Sequence, residues 1–562
     1  MVLKYNNYIN NMKKLLLPCI VIFFSGILVI DILINKGVFV SHDIWSNITY
    51  FASFYTSLSE GIIIPRWSAN LANLYGSPTS MFFYPASYYF SSVFKFIGFS
   101  FTDSIKIFFF LSFVLSAVFM RIFLRLHFGD IAATAGALLY VYAPYRLSNI
   151  YARGSLAENT AFMFTPLTLI FIHKLFRDKN IKSVIILAFM FAGLILSHPF
   201  IAVVFTPFYI SYLFFLKPDF RKIRLLVFAG TLSLFLTFFY ILPLLIENKY
   251  THYDISPFNG SGYYKQFLNL KRLTVPSWTF IDDAGKLEYQ TYHIGELQLF
   301  VLLVAVIVFV VKFIERKKIV GKKDLLAVAI FNLFISIFLM LPQSDFIYKN
   351  IIYLQRIEFP WRFLILSTFS IALIFSVSMD IVKNKRIQFI LLILVLFFGI
   401  IFYLRYSRGH EYRLVRDSYF LFQVRENSDG FSSLPRWAAA PETYSRIEKR
   451  YLTSDENAII ETLKITSTLH RYYSHSENAY QFIDATFYFP GWNAYIDGQK
   501  QAIEFQNPDY RGIITFPVSK GEHLLEIKFV KTKLRLFADF VSLLTLLSIG
   551  GGLIFFHGKK SR

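Results

Sequence analysis

Residues 387–404 read IQFILLILVLFFGIIFYL, a run of eighteen with no charged side chain, and Arg405 ends it. As a helix rising 1.5 Å per residue it covers about 27 Å, close to the roughly 30 Å hydrocarbon core of a bilayer. Lys383, Lys385 and Arg386 precede it, whereas 405–535 beyond it carry charged and polar residues throughout. The run therefore predicts a membrane crossing between a basic face and a water-soluble region. Similar runs recur at about 15–34, 105–124, 131–149, 159–175, 183–198, 199–216, 225–246, 297–314, 325–342 and 363–382, and another closes the chain at 536–557. The expected fold is a polytopic α-helical membrane protein with about twelve transmembrane helices. A hydrophobic fraction of 55% and a mean hydropathy of +0.49 agree, being too apolar for a chain that keeps a wetted surface.

The net charge of +21 would, in a soluble protein, raise a nucleic-acid partner. Nearly all of it sits in alternate connections: Lys4/Lys13/Lys14, Arg121/Arg125, 174–182, 217–224, 312–323, 383–386 and 559–562. Lys and Arg gathered in the short loops of one face is the positive-inside pattern. It predicts a multi-pass protein of the cytoplasmic (inner) membrane, both termini cytoplasmic, surrounded by membrane lipids and without nucleic acid. The one cysteine, Cys19, allows no internal disulfide. The run 15–34 is too long for a signal-peptide core and lacks a small-x-small cleavage site, so a retained first helix is expected.

These assignments divide the chain into a transmembrane domain over 1–404, an exported soluble β-rich domain over 405–535, and a final helix with a basic cytoplasmic tail over 536–562. Within the first lie a large exported loop, 35–103, and a second, 247–296. Short amphipathic or apolar stretches at 44–60 and 85–99 suggest interface-lying or re-entrant helices rather than crossings. In 480–530, apolar and polar residues alternate around Pro490-Gly491, Asp497-Gly498, Asn507-Pro508 and Lys520-Gly521, the pattern of an antiparallel sheet.

With inner loops short and basic, chemistry is expected on the extracytoplasmic face. Asp43, beside His42 and shortly after the first helix, is placed to deprotonate a hydroxyl or ligate a divalent cation. It is equally a favoured N-cap for the helix that follows. Between two expected crossings, Tyr145 to Glu158 holds Arg146, Arg153 and Glu158. The guanidiniums suit a phosphate and the carboxylate suits a sugar hydroxyl, though an Arg–Glu pair could also simply seal a hairpin. Arg356, Glu358, Trp361 and Arg362 stand at headgroup depth, as a clamp on a lipid phosphate or as anchors. His198, and His293 with Glu296, are weaker candidates. Trp67 and Tyr84, in the first loop with Arg66, could stack on sugars or belong to an aromatic belt. The spacing of Asp43, Glu158 and Glu296 demands no metal, although it is compatible with one. There is no phosphate-binding glycine loop, so activated sugars would have to arrive outside already flipped on a lipid carrier.

Four segments carry a family resemblance: Gly61 to Trp67 with Tyr75-Gly76-Ser77-Pro78 and Phe83-Tyr84-Pro85; Tyr145 to Glu158; Phe359-Pro360-Trp361-Arg362; and Tyr488 to Gly498. They resemble the bacterial membrane proteins termed 6-pyruvoyl-tetrahydropterin synthase related, which are similar to GT-C glycosyltransferases. The last segment, with Lys520-Gly521-Glu522-His523, also resembles the exported module of membrane proteins that glycosylate lipoteichoic acid. The resemblance implies a GT-C-like fold and a catalytic acid in the first exported loop, the place Asp43 holds; Glu158, from the residues themselves, is the second catalytic candidate. His42-Asp43 stands where the family often has Gly-Asp, and Tyr84-Pro85-Ala86 where it has Tyr-Pro-Pro. Neither a pterin nor a nucleotide cofactor is expected. The implied activity is hexosyl or pentosyl transfer from a polyprenyl-phosphate sugar donor to an envelope glycan or lipid acceptor. A noncatalytic envelope-assembly protein or a lipid or glycan transporter would share this architecture. Substrate contacts would then fall to His42, Arg66, Trp67, Tyr84, Arg146, Arg153, His198, His293, Glu296, Arg356, Glu358 and Arg362.

Overall fold

A computed structural model describes residues 16–252, 262–276, 292–315, 322–422, 433–439 and 443–560. The basic residues Lys4, Lys13, Lys14, 316–318 and Arg562, and much of the expected loop 247–296, lie outside the described residues. The chain forms two compact units: one from 1–45, 103–234 and 261–414, the other from 46–102, 235–260 and 415–562.

The first unit is helical. At its centre is Leu364–Ile381, buried from Leu364 to Met379. Most of an apolar helix's surface faces either lipid or protein, and the degree of burial tells which. For Pro360–Ile381 the share buried is 89%, against 22% for Glu296–Ile314 and 28% for Lys385–Tyr406, so the last two form the periphery. Asp130–Val141 packs on the central helix and is rich in small residues, Ala132, Ala133, Ala135, Gly136 and Ala137 all being buried. A Cβ at Gly136 would collide with the Ser376 hydroxyl and lie 3.0 Å from the Ala372 carbonyl oxygen. Such close backbone approach is how helices associate where lipid offers no hydrophobic drive. Strand β1 (Val38–Val40) pairs antiparallel with β2 (His410–Arg413), closing this unit.

Six helices are long and apolar enough to cross a membrane among the described residues, or seven if the bent pair Phe220–Leu236 and Phe238–Tyr250 is one crossing. Leu16–Gly26, Asp130–Val141, Ile181–Ser197 and Thr206–Leu216 are apolar but shorter. At twelve residues Asp130–Val141 reaches only about 18 Å. The expected single helix over 15–34 is interrupted by turns at 27–30. Just before them, the Ser25 hydroxyl donates back to the Val21 carbonyl at 2.6 Å, a contact that bends helices.

The second unit is built on eight strands: β3 (Tyr451–Thr453), β4 (Ile459–Ile465), β5 (Leu469–Ser476), β6 (Tyr480–Phe487), β7 (Trp492–Ile496), β8 (Gln499–Gln501), β9 (Ile513–Val518) and β10 (Gly521–Phe529). One antiparallel sheet has the order β4-β5-β10-β7-β8 and the other β3-β6-β9. Their facing residues, Tyr472, Phe482, Ile514 and Leu525 among them, share a core. The alternation read in 480–530 is therefore that of a two-sheet packing. The division differs from a boundary at 405, because part of the 35–103 loop belongs to this core. Trp67 is 1% exposed, with ring centroids 5.4 Å from both Trp492 and Phe529. A large ring gains more from an apolar interior than from a wet loop, and the sheets supply that interior. Two ion pairs tie the closing helix Lys533–Lys560 to the same unit: Arg535 to Glu247 at 2.8 Å, and Arg66 to Asp539 at 2.5 and 3.0 Å.

Trp67→Ala removes a buried indole and leaves a cavity, which is expected to cost about 3–5 kcal/mol. Limited proteolysis of the full-length protein should then cleave within 451–529 at a lower temperature than in the wild type. Unchanged protection would mean that the loop does not support the sheets.

Candidate functional site

In the first unit, three stretches distant in sequence converge on the carboxylate of Glu158. The short helix Pro144–Leu147 passes into a wide π-type turn, Ser148–Ala152, and Glu158 stands in the first turn of the next helix, Leu156–Asp178. One Glu158 oxygen accepts from the Tyr145 hydroxyl at 2.7 Å and pairs with Arg153 Nη1 at 3.0 Å. The other accepts from Arg362 Nε at 3.0 Å, with His198 Nε2 at 4.0 Å. Glu158 is fully buried. A buried carboxylate is tolerable only when charge and hydrogen bonds compensate it, and two guanidiniums and a phenol do so here.

Each arginine has a second anchor. Arg153 donates to Asn149 Oδ1 at 2.6 Å and lies 4.6 Å over the Trp361 ring. Arg362 donates through Nη1 to the Ile357 carbonyl at 2.5 Å and has Glu358 at 3.9 Å. The other face of the site is aromatic, Tyr292 stacking on Trp361 with centroids 3.9 Å apart and planes 9° apart. Glu358 has φ of +63°, a left-handed conformation that is uncommon outside glycine and is often held at functional loops.

The loop after the first helix is hydrogen-bonded to this cluster. The amide of His42 donates to the Ala152 carbonyl at 3.1 Å, and that of Asp43 to the Arg153 carbonyl at 2.8 Å. Gly154 makes the approach possible: its φ is +65°, and a Cβ there would collide with the Ser41 hydroxyl. Burial and the neighbouring Arg153 guanidinium push the His42 imidazole down to about 4, so it is neutral near pH 7. Three buried polar atoms around the cluster, Ser41 Oγ, Asn149 Nδ2 and Trp361 Nε1, have no hydrogen-bond partner among the described residues.

Of the sequence-derived candidates, His42, Asp43, Arg153, Glu158, His198, Glu358 and Arg362 are thus brought together. Arg146 is close in sequence but has other partners: fully buried, it donates to Ser116 at 2.8 Å and lies over the rings of Phe162 and Phe113. His293 and Glu296 stand at the start of Glu296–Ile314, where Glu296 pairs with Arg405 at 3.5 Å. Arg356 is exposed. Arg66, Trp67 and Tyr84 belong to the other unit, where Asp539 holds Arg66 and the β-sheet core holds Trp67. Tyr145, Asn149 and Tyr292 join the site without having been singled out. Each lies within, or next to, a segment that already drew notice, but a tyrosine hydroxyl and an amide carry no charge signal. With both oxygens of Glu158 held by donors, that carboxylate is not free to ligate a cation. No group of three or more His, Cys, Asp or Glu suited to a metal occurs among the described residues.

Residues 81–407 match the 6-pyruvoyl-tetrahydropterin synthase related domain, described as a membrane protein. An uncharacterized protein of Lactococcus lactis subsp. cremoris (strain MG1363) is 26% identical over 356 residues, which cover 61% of this chain and 54% of that relative. The chain therefore spans about half the length of the relative it matches. Glu158, Arg153 and Arg362 all fall inside the family match.

Glu158→Gln leaves two buried guanidiniums without their counter-charge and should destabilise the protein by about 3–5 kcal/mol, read as a lower thermal midpoint in detergent. A wild-type midpoint would mean that the ion pairs are not what holds these segments. His42 tests the electrostatics separately. Its folded pKa lies below the ordinary 6.5, so the unfolded chain takes up the proton first and stability falls as pH drops from 6.5 towards 4. In His42→Gln the midpoint should fall less between pH 7 and pH 4.5 than in the wild type.

Proposed function

The chain belongs to the 6-pyruvoyl-tetrahydropterin synthase related family of membrane proteins, and from that premise we propose that it is a GT-C-type glycosyltransferase. It moves a hexosyl or pentosyl group from a polyprenyl phosphate to an envelope glycan or lipid acceptor on the extracytoplasmic face of the cytoplasmic membrane. On this reading the shorter apolar helices join the longer ones to make about twelve crossings, and both termini are cytoplasmic.

The observation that carries the reading is the attachment of the Asp43 loop to the Arg153–Glu158–Arg362 cluster. It sets a carboxylate beside a fixed array of cations and unpaired hydrogen-bond donors, the combination that a displacement at a sugar phosphate needs. Asp43 accepts the proton of the acceptor hydroxyl while the hydroxyl oxygen bonds to the anomeric carbon. The bond from that carbon to the phosphate oxygen breaks, and the lipid phosphate leaves with the electron pair, inverting the anomeric centre. Arg153 and Arg362, immobilised by Glu158 and by their second anchors, oppose the charge growing on the departing phosphate. Held in place beforehand, they reorganise little as that charge appears. Glu158 is thus a positioning residue rather than the base, because both its oxygens are already engaged. Trp361 and Tyr292, stacked on one another, back the Arg153 guanidinium and help to hold it in place.

Mass spectrometry of cell-envelope glycans, in a deletion strain complemented with equal amounts of wild type or Asp43→Asn, tests this. The deletion should lose one sugar mass, and only the wild type should restore it. Full restoration by the asparagine variant would remove Asp43 from the chemistry. An unchanged glycan profile in the deletion would instead favour an assembly protein or a transporter.

A further inference from the structure

A groove of about 840 Å³ runs between the helices Thr206–Leu216 and Lys323–Met340 of the first unit. Its walls are apolar: Ile210 and Phe214 on one side, and Ala327, Phe331 and Ile335 on the other. The residues at i+3 or i+4 steps from Asp324 to Leu339 all line it, so it follows one face of that helix for about 22 Å. The hydroxyls along it are consumed internally. Thr206 donates to the Ala202 carbonyl at 3.1 Å, and Ser211 donates to the Pro207 carbonyl at 2.8 Å while accepting from Asn332 at 2.6 Å. Between its ends the groove therefore offers a largely hydrocarbon surface.

Its two ends differ. At one, Lys217 and Asp324 pair at 3.5 Å. At the other, the lining includes Leu354 and Phe363, which bracket the segment carrying Arg356, Glu358 and Arg362. Arg362 holds Glu158, and Arg356 is exposed and makes no ion pair among the described residues. An occupant running along the groove would have its apolar part between the helices and its head beside guanidiniums, so the head should be anionic.

We propose that this groove holds the prenyl chain of a polyprenyl phosphate, its phosphate facing the Arg356–Arg362 segment. This rests on the glycosyltransferase reading and adds the path of the lipid to it. Length favours a prenyl chain over a phospholipid. Half of a roughly 30 Å hydrocarbon core is about 15 Å, the depth available to an acyl chain in its own leaflet, and the groove is longer than that. A polyprenyl chain is not confined to one leaflet and can occupy the whole face.

The test uses full-length protein in detergent and native mass spectrometry, with a C55 polyprenyl phosphate and phosphatidylglycerol as competing probes. Wild type should retain the polyprenyl phosphate in preference. Ala327→Trp and Ile335→Trp, which fill the groove at two heights, should each retain it at least tenfold less while leaving phosphatidylglycerol binding and the thermal midpoint unchanged. Arg356→Gln should weaken retention of the phosphate but not of the dephosphorylated C55 alcohol. Equal retention by wild type and both tryptophan variants, or displacement by equimolar phosphatidylglycerol, would overturn the proposal and make the groove a seat for bulk lipid. The two readings fail separately. Groove-dependent binding together with full complementation by Asp43→Asn would leave the groove standing and remove the chemistry. Loss of a sugar restored only by wild type, with binding indifferent to the tryptophans, would do the reverse.

Discussion

One carboxylate buried out of water, that of Glu158, ties together segments of the helical unit that are far apart in sequence. An ionised group in a low-dielectric interior must find its compensation locally, and here Arg153, Arg362 and Tyr145 supply it. Those partners come from the turn preceding its own helix and from the foot of the central helix. The requirement that this charge be neutralised therefore sets how the segments meet. The backbone of the turn then receives the His42 and Asp43 amides. The place of Asp43 follows from that of Arg153, and so, at one remove, from Glu158.

The central helix is the other half of this constraint. Buried along nearly its whole length, it must meet its neighbours closely, and the small residues of Asp130–Val141 allow that contact. Arg362 lies within the 3-10 turn Pro360–Phe363 that runs directly into Leu364–Ile381. A rigid, fully packed element thus carries one of the two guanidiniums, and the hydrogen bond to the Ile357 carbonyl fixes its rotamer. On the proposed reading, positioning of this kind removes the conformational cost at the moment charge develops.

The arginines of the chain show how similar residues take different work. Arg146, seven residues from Arg153, is enclosed by aromatic rings and pairs with a hydroxyl. Arg66 is matched by Asp539 in the sheet-bearing unit. Arg153 and Arg362 share one carboxylate, and Arg356 stands exposed. Formal charge and residue type are the same in all five, and only the partners distinguish them.

The amino-acid sequence by itself determined the membrane class, the position of the long apolar helices, the antiparallel character of 480–530 and the segments in which chemistry was to be sought. Those are local properties: hydrophobic run length, period-two alternation and turn residues act over a few to twenty neighbours, so they can be read along the chain. What only the tertiary structure decided is which of those segments meet. Glu158 and Arg362 are 204 residues apart, and Arg66 and Asp539 are 473 apart. No periodicity links such pairs, since their contact is the outcome of packing and charge compensation across the whole fold. The same holds for Trp67, whose sequence surroundings suggest an interface while its burial comes from strands that begin almost four hundred residues later. Burial of a side chain is a property of what surrounds it, and those surroundings are assembled only when the chain folds.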